Sequence, residues 1–308
     1  MSGRDSVNAE GLGLALGSGS ARGLAHIGVL KVFEREGLPI DLIAGTSIGA
    51  LIGGAYAIGM TAQEIEAIAL ATNIRRLASM FDIARPTRAL VDGRKVERFI
   101  SEIAGGMTFA DTKLPFACIA VDVTSERQVV LQEGDLASAI RASISTPVLF
   151  APVERNGQLL VDGAVLNSVP VDVARQMGAD VVIAVTNHGV PSSEVPVYCN
   201  DRGAAPLEGE RPVTRGFTAG VSSRAVSLVK DRLRSPSIYQ HATCSLDLMV
   251  RELTEPRLRA ADVVIAPQVD GVTSYSFHEA ERIIAVGEQA AEAAVGDIRR
   301  LLAARQVP

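Results

Sequence analysis

Cysteine and histidine are scarce in this sequence. Its 308 residues include only three cysteines and four histidines. Cys118, Cys199 and Cys244 lie far apart and form no Cys-x-x-Cys pair, which favours reduced structural thiols over a disulfide framework. No His-Glu-x-x-His motif and no paired spacing of cysteine and histidine occurs, so the sequence predicts no metal site.

Strong charge of one sign is also missing. The formal net charge is -5 at pH 7, whereas a nucleic-acid-binding surface would be basic. We therefore expect no nucleic-acid partner and no strong attraction to anionic membranes. The apolar patch near the amino terminus is short and follows Asp5 and Glu10, which argues against a secretory signal. These features predict a cytoplasmic protein and leave room for peripheral contact with a membrane.

No apolar run is clearly long enough to span a bilayer. The stretch 43–60 has about 18 residues, the lower limit for a transmembrane helix. It begins with a strand-and-turn pattern that contains Thr46 and Ser47. We interpret it as a turn that leads into a buried core helix.

Hydrophobic residues, in contrast, are abundant and make up 47% of the chain, enough for the core of one large α/β domain. Apolar runs predict strands at 11–16, 40–44, 116–123, 128–131, 159–161, 180–185 and 262–266. Residue spacing and composition predict helices at 22–36, 61–71, 74–81, 135–143 and 277–305. The opening order of strand, loop, helix, strand, turn and helix is typical of a parallel sheet covered on both faces.

One segment departs from this alternation. Residues 189–212 contain four prolines and several Gly, Ser, Glu and Arg residues, a composition typical of a mobile loop or insertion. The stretch 219–234 beyond it is amphipathic. We expect 189–235 to be a mobile insertion or lid within a single domain that covers 11–305.

Gly45-x-Ser47-x-Gly49 stands between a predicted strand and an apolar helix. Small neighbours allow a serine there to occupy a sharp, strained turn. Such a turn lifts the hydroxyl above the sheet at a helix N-terminus, where the helix dipole favours developing negative charge. This placement suits a nucleophile, but serine is also a good helix cap, and the motif alone leaves both interpretations open.

A second glycine motif, Gly17-x-Gly19-x-x-Arg22-Gly23, follows the first predicted strand and opens a helix. Such a loop can present several backbone N–H groups to an anion. A dinucleotide fingerprint requires glycine or alanine where Arg22 stands, and a P-loop requires a Lys-Ser/Thr pair that is missing. The remaining interpretation is an oxyanion hole that serves a serine on the adjacent strand.

Asp162-Gly163-Ala164 comes at the end of a short predicted strand. A carboxylate there could accept the proton of Ser47, although Asp-Gly is also a common hairpin turn. A catalytic triad in the order Ser, Asp, His would require a later histidine. Three histidines fit that order: His188, His241 and His278. His26, which lies one turn into the first helix, is interpreted as a structural polar residue.

The three motifs occur in one order, glycine-rich loop, Gly-x-Ser-x-Gly and then Asp-Gly-Ala. This ordered set, within LGSGSARGLAHIGVL, IAGTSIGALIGGAYA, RASISTPVLFAPV and VDGAVLNSVPVDVARQMGADVVIAV, resembles the patatin-like phospholipases. Their bacterial branch, which is similar to the esterase domain of neuropathy target esterase, looks closest. The resemblance covers residues 11–188, with a weaker echo in 262–267 and the closing helix. It implies a three-layer α/β/α fold with a mainly parallel central sheet.

The resemblance also implies a Ser–Asp dyad in place of a triad, with Ser47 as the nucleophile and Asp162 as the base. It implies that the backbone N–H groups of one loop form the oxyanion hole: Gly17, Ser18, Gly19 and Ser20. Supporting roles fall to a residue that braces this loop and to three turn glycines: Arg22, Gly45, Gly49 and Gly163. Family members often carry glycine where Ser18 and Ser20 stand. Because a Cβ atom disfavours positive φ, the hole would be strained if either position needs that conformation.

These expectations describe a serine acyl hydrolase of the phospholipase A, lysophospholipase or esterase type. It would cleave fatty-acyl esters of lipids through an acyl-enzyme intermediate, without a metal or an organic cofactor. Its expected partner is a lipid or acyl-ester substrate, with transient membrane contact allowed. The alternative is a regulatory protein that binds a nucleotide or an anionic lipid in the glycine-rich loop without catalysis.

Overall fold

The central sheet places each predicted motif at the end of a strand. The computed structural model describes residues 11–72, 89–187, 238–269, 271–274 and 276–305. The strands found in these ranges are β1 (Gly11–Leu16), β2 (Leu42–Thr46), β3 (Phe116–Asp122), β4 (Arg127–Leu131), β5 (Val153–Arg155), β6 (Gln158–Asp162), β7 (Ala179–Val185) and β8 (Val263–Ile265). They form one sheet of order β5-β6-β3-β2-β1-β7-β8, and β4 pairs with β3 outside this path.

The interior of the sheet is parallel and apolar on both faces. Strand β1 pairs in parallel with β2 and β7, and β2–β3 and β7–β8 are also parallel. The pairs β3–β4, β3–β6 and β5–β6 are antiparallel. Because side chains alternate along a strand, Leu12, Leu14 and Leu16 enter one apolar cluster and Ala15 enters the other. A core on each face requires helices on each face, as the continuous apolar strands predict.

The helices in the described ranges are α1 (Ala25–Glu36), α2 (Ile48–Ala57), α3 (Ala62–Ala71), α4 (Arg94–Ala104), α5 (Leu136–Ser143), α6 (Val171–Gln176), α7 (Ile238–Leu258) and α8 (Ala280–Arg305). Residues of α1, α2 and α8 pack in the cluster on one face, and residues of α6 pack in the cluster on the other. Gly37, in the left-handed conformation at φ 63°, ends α1. Of these helices, none combines the length and the apolar character that crossing a membrane requires.

The three-layer α/β/α fold with a mainly parallel sheet is confirmed. Strand β2 begins two residues later than expected and extends to Thr46, because Thr46 still pairs with β3. The sequence interpretation missed β5, α4, α6 and α7. Helix α4 has its apolar residues at the spacing of an amphipathic helix, so its sequence contained a usable signal: Val96, Phe99, Ile100, Ile103 and Ala104. The expected helix at 74–81 and the expected insertion at 189–235 lie outside the described residues.

The cysteines only partly match the expectation of reduced thiols. Cys118 is free and buried in β3, and burial raises the pKa of its thiol to about 12. Cys244, on α7, is disulfide-bonded, so the expectation is wrong for this residue. A disulfide requires two Cα atoms within roughly 7 Å, and spacing along the chain does not reveal such proximity.

Candidate active site

Strand β3 brings Ser47 and Asp162 together, although they are 115 positions apart in the sequence. Thr46, the last residue of β2, pairs with Ile119 of β3 in parallel register. Asp162, the last residue of β6, pairs with the next residue, Ala120, in antiparallel register. Strand β4 occupies the other edge of this part of β3, so β2 and β6 lie end to end along one edge. The residue after Thr46 therefore meets Asp162 where the two strands end.

Ser47 occupies a strained turn between β2 and α2. Its backbone adopts φ 57° and ψ -122°, a conformation that costs a non-glycine residue on the order of 1–3 kcal/mol. The flanking glycines make the turn sterically feasible. A Cβ atom on Gly45 would lie 2.5 Å from the carbonyl oxygen of Gly49, and one on Gly49 would lie 2.2 Å from that of Leu16. Both motif glycines are thus required by close backbone packing.

The hydroxyl of Ser47 faces Asp162 and does not cap α2. Ser47 Oγ donates a hydrogen bond of 2.7 Å to Asp162 Oδ2, and its side chain makes no capping hydrogen bond to the helix. Both side chains are buried, at 8% exposure for Ser47 and 3% for Asp162. The helix-cap interpretation that the sequence left open is therefore wrong for this serine.

The carboxylate of Asp162 is buried but well supplied with donors. Its Oδ2 also accepts the hydroxyl of Thr146 at 3.0 Å, and its Oδ1 accepts the backbone N–H of Ala164 at 2.9 Å. Burial raises the pKa of Asp162 to about 6, against the opposing effect of these hydrogen bonds and of the one from Ser47. The next residue, Gly163, has no room for a side chain, because a Cβ atom there would lie 2.3 Å from the carbonyl oxygen of Ile119. A base with this pKa is ionised near neutral pH yet more basic than an ordinary aspartate.

Ser143 supports the strained turn through two hydrogen bonds of its hydroxyl. The sequence analysis did not identify this residue. Its hydroxyl accepts the backbone N–H of Ser47 at 3.0 Å and donates to the carbonyl oxygen of Ile119 at 2.6 Å. Ser143 is fully buried at the end of α5. It lies in the segment RASISTPVLFAPV, whose polar residues among apolar ones were a usable indication of a buried hydrogen-bonded role.

The glycine-rich loop offers fewer N–H groups than expected. The Gly17 N–H donates to the carbonyl oxygen of Val185 at 2.9 Å, and the Ser18 N–H donates to that of Ser168 at 2.9 Å. Within the described residues, the N–H groups of Gly19 and Ser20 have no acceptor. Two donors of the four therefore remain for an incoming anion.

The backbone angles of the loop show which of its two serines, Ser18 or Ser20, adopts a positive φ. Gly19 has φ 147° and Ser20 has φ 52°, whereas Ser18 is not among the residues of positive φ. Ser20 therefore adopts the left-handed conformation that favours glycine. Its hydroxyl donates to the carbonyl oxygen of Ser274 at 2.7 Å, which anchors the side chain in this position.

Three buried side chains contact the backbone carbonyl groups of the loop. Arg22, expected to brace it, approaches the Gly19 carbonyl oxygen with Nε at 3.4 Å and pairs with Asp247 on α7 at 3.2 Å. His26 Nε2 lies 2.7 Å from the carbonyl oxygen of Gly17, and burial lowers the pKa of this histidine to about 4. Asn187, which the sequence analysis did not single out, donates from Nδ2 to the carbonyl oxygen of Ser18 at 3.2 Å.

None of the histidines that the structure describes takes the place of a triad histidine. His26, His241 and His278 form no hydrogen bond with Ser47 or Asp162. His188 lies outside the described residues. The two hydroxyl donors that reach the Asp162 carboxylate are those of Ser47 and Thr146.

The arrangement combines a buried hydroxyl, a carboxylate that contacts it and two backbone N–H groups without an acceptor among the described residues. The glycine-rich loop packs against the turn that contains Ser47, since a Cβ atom on Gly23 would lie 2.1 Å from Ile48 Cγ2. A hydroxyl with its own base can attack an electrophilic carbon. Two N–H groups without an acceptor, in a loop that packs against the same turn, could supply the donors that acyl transfer requires.

The similarity of this chain to known proteins covers the same motifs. A sequence model of the family "patatin-like phospholipase" matches residues 14–175, just over half of the chain. The matched range contains the glycine-rich loop, the Gly-x-Ser-x-Gly turn and the Asp-Gly-Ala segment.

Three curated relatives illustrate the extent of the similarity. An "uncharacterized NTE family protein" of Mycobacterium tuberculosis is 36% identical over 176 residues, or 57% of this chain and 49% of that protein. Human "patatin-like phospholipase domain-containing protein 6" is 33% identical over 192 residues, or 61% of this chain and 14% of that protein. "Lysophospholipase NTE1" of Candida albicans is 34% identical over 180 residues, or 57% and 13%. The chain thus spans about half the length of the mycobacterial relative and far less of the others.

Proposed function

The chain belongs to the patatin-like phospholipase family, as its motifs predicted, and on this premise we propose that it hydrolyses fatty-acyl esters of lipids. Ser47 is the proposed nucleophile and Asp162 the proposed general base. A lysophospholipase and a phospholipase domain among the relatives support a lipid ester as substrate. Transient contact with a membrane surface is part of this proposal, because such substrates reside there.

One observation carries the proposal. The Ser47 hydroxyl, on a turn of positive φ at a helix N-terminus, donates at 2.7 Å to a buried carboxylate. A structural serine would cap the helix and would not require a strained backbone. Strain of this kind is retained where the position of a side chain matters.

In the first proposed step, Ser47 Oγ attacks the ester carbonyl carbon while Asp162 takes the hydroxyl proton. The negative charge that forms on the carbonyl oxygen is stabilised by the Gly19 and Ser20 N–H groups and by the N-terminus of α2. Each such donor contributes about 3 kcal/mol to the stability of the transition state. The leaving alcohol or lysolipid then takes the proton from Asp162.

In the second step, water attacks the acyl-enzyme with Asp162 again acting as base, and the fatty acid leaves with Ser47 regenerated. The pKa of about 6 suits both roles. Asp162 is charged and able to accept a proton at neutral pH, and it is not so acidic that it cannot return one. This chemistry needs no metal, so activity is expected to survive EDTA.

The central experiment compares Ser47→Ala, Asp162→Asn and the double variant on p-nitrophenyl esters of graded chain length. Each single change should abolish turnover, and the double variant should be little worse, because residues that act as a unit lose function non-additively. Fluorophosphonate treatment followed by peptide mapping should place the label on Ser47.

The matched control is Ser138→Ala, which removes a hydroxyl from the partly exposed side of α5 and should leave turnover unchanged. Variants of His26, His188, His241 and His278 to Gln should keep substantial turnover. If one of them loses as much as Ser47→Ala while Asp162→Asn stays active, the enzyme uses a triad and Asp162 is not the base. Absence of labelling together with thermal stabilisation by a nucleotide would instead favour the binding protein.

A further inference from the structure

Three consecutive carbonyl groups of the glycine-rich loop are each held by a different buried side chain. His26 holds the carbonyl oxygen of Gly17 at 2.7 Å, Asn187 holds that of Ser18 at 3.2 Å, and Arg22 approaches that of Gly19 at 3.4 Å. The exposures of His26, Asn187 and Arg22 are 0%, 2% and 6%. They come from α1, from just beyond the end of β7 and from the turn before α1.

A held carbonyl fixes the direction of the next N–H group. The peptide bonds of this loop are trans, and in a planar trans peptide the C=O and the following N–H point in opposite directions. The carbonyl of Gly17 therefore sets the N–H of Ser18, which already donates to Ser168. The carbonyl of Ser18 sets the N–H of Gly19, one of the two donors still free.

We propose that Asn187 is a positioning residue for the oxyanion hole, which holds the Ser18 carbonyl so that the Gly19 N–H faces the reacting ester. This inference rests on the proposed function. Gly19 has φ 147° and no side chain to restrict its backbone, so the flanking peptide would otherwise be free to rotate. The fit is close, since a Cβ atom on Gly19 would lie 2.8 Å from Asn187 Cβ.

The hydrogen bonding of Asn187 is consistent with a positioning role. Its Oδ1 is buried and has no partner among the described residues, and an unpaired buried polar atom destabilises the fold. Its Nδ2 also lies 3.0 Å from His26 Nε2, the atom that contacts the carbonyl oxygen of Gly17. The amide is explained if its Nδ2 bond to Ser18 matters for the reaction.

The test is Asn187→Leu, which keeps the shape and removes the donor, with Asn187→Asp as a second variant that presents a carboxylate to the same carbonyl. We expect kcat on p-nitrophenyl esters to fall by about 10- to 100-fold with KM nearly unchanged, since loss of a whole oxyanion donor costs about 100- to 1000-fold. Inhibition by a trifluoromethyl ketone, whose adduct carries the oxyanion, should weaken in parallel. Because each variant leaves the buried Ser18 carbonyl oxygen without this donor, the midpoint of thermal unfolding should fall modestly, and the loss of kcat should exceed what that fall in stability accounts for.

The control is Thr254→Val, which removes a buried hydrogen bond within α7, from the hydroxyl to the carbonyl oxygen of Val250, and should leave kcat unchanged. The proposal is overturned if both Asn187 variants keep kcat within twofold. It is also overturned if kcat falls only in proportion to lost stability, or if Thr254→Val lowers kcat equally. A parent protein without Ser47-dependent turnover refutes the proposed function, and this inference with it; active parent and unchanged Asn187 variants refute this inference alone.

Discussion

Thr146 donates a hydrogen bond of 3.0 Å to Asp162 Oδ2, the same oxygen that accepts the hydroxyl of Ser47. This bond favours the charged carboxylate and opposes the effect of burial on the pKa of Asp162. Thr146→Val keeps the shape of the side chain and removes the donor. The pKa should then rise further above its ordinary value, and the acid limb of kcat/KM against pH should move upward by about one unit.

The measurement is a pH–rate profile from about pH 4 to 9, in which the parent should lose activity as pH falls through about 6. Thr112→Val serves as the control, because its hydroxyl donates to the carbonyl oxygen of Phe109 and does not contact Asp162. An acid limb that stays in place in Thr146→Val, or that moves equally in Thr112→Val, contradicts the assignment of Asp162 as the titrating base.

The sequence motifs singled out both Ser47 and Asp162, but they did not show how the two residues meet. Each motif is local, since it needs only a strand end followed by small residues. The meeting of Ser47 and Asp162 depends on the register of β3, where Ile119 and Ala120 pair with different strands. Register arises from long-range pairing, and no short segment specifies it.

The same distinction applies to the N–H groups of the glycine-rich loop. A run such as Gly17 to Ser20 indicates that backbone N–H groups are available, but it does not indicate the direction in which each N–H group points. Gly17 and Ser18 are used by the carbonyl oxygens of Val185 and Ser168, which lie more than 140 residues further along the chain. Asn187 was missed for the same reason, because its partner is a backbone atom and no local pattern marks it.

Asp162 should reduce the stability of the folded protein at neutral pH. Its pKa is about 6 in the folded protein, against an ordinary value of 3.8, a difference equivalent to about 3 kcal/mol. Between these values the folded state holds a proton that the unfolded state has lost. The contribution is therefore fully favourable below about pH 4 and is lost as pH rises through 6.

Asp162→Asn should remove this pH-dependent loss of stability, because the amide carries no charge. It should raise the free energy of unfolding by about 1–3 kcal/mol above pH 7. The gain should shrink toward zero near pH 4, where the parent carboxyl is also neutral. Urea unfolding of both proteins at pH 4.5 and 7.5 measures it. Equal differences at the two pH values would contradict a raised pKa for Asp162.

Two substitutions of Ser20, which has a left-handed backbone conformation, test whether this conformation is strained. Ser20 has φ 52° and is anchored through its hydroxyl to the carbonyl oxygen of Ser274. Ser20→Ala loses the hydrogen bond and keeps the unfavourable conformation, so it should destabilise by about 1 kcal/mol. Ser20→Gly loses the same bond but relieves about 1–2 kcal/mol of strain, and should be close to neutral. Thermal unfolding should therefore rank the glycine variant above the alanine variant; the reverse order would show that Ser20 is not strained.

The final prediction uses one substitution at two glycines whose surroundings differ. A Cβ atom on Gly49 would lie 2.2 Å and 2.6 Å from the carbonyl oxygens of Leu16 and Gly17, which belong to backbone that cannot yield as a flexible side chain does. A Cβ atom on Gly296, inside α8, would meet nothing within 4 Å, and its φ is not left-handed. Gly49→Ala should therefore push α2 away from β1 and destabilise by about 1–3 kcal/mol, and it should reduce turnover because Ser47 moves with the helix.

Gly296→Ala should instead stabilise by up to about 1 kcal/mol, because alanine costs less backbone entropy than glycine in a helix. Its turnover should equal that of the parent, since Gly296 is exposed and a Cβ atom there meets no neighbouring atom. Denaturant unfolding and steady-state hydrolysis of both variants test the two expectations together. Equal stability changes would mean that α2 tolerates a side chain at Gly49. The close packing of the glycine-rich loop against the turn that contains Ser47 would then not be what places Ser47 beside Asp162.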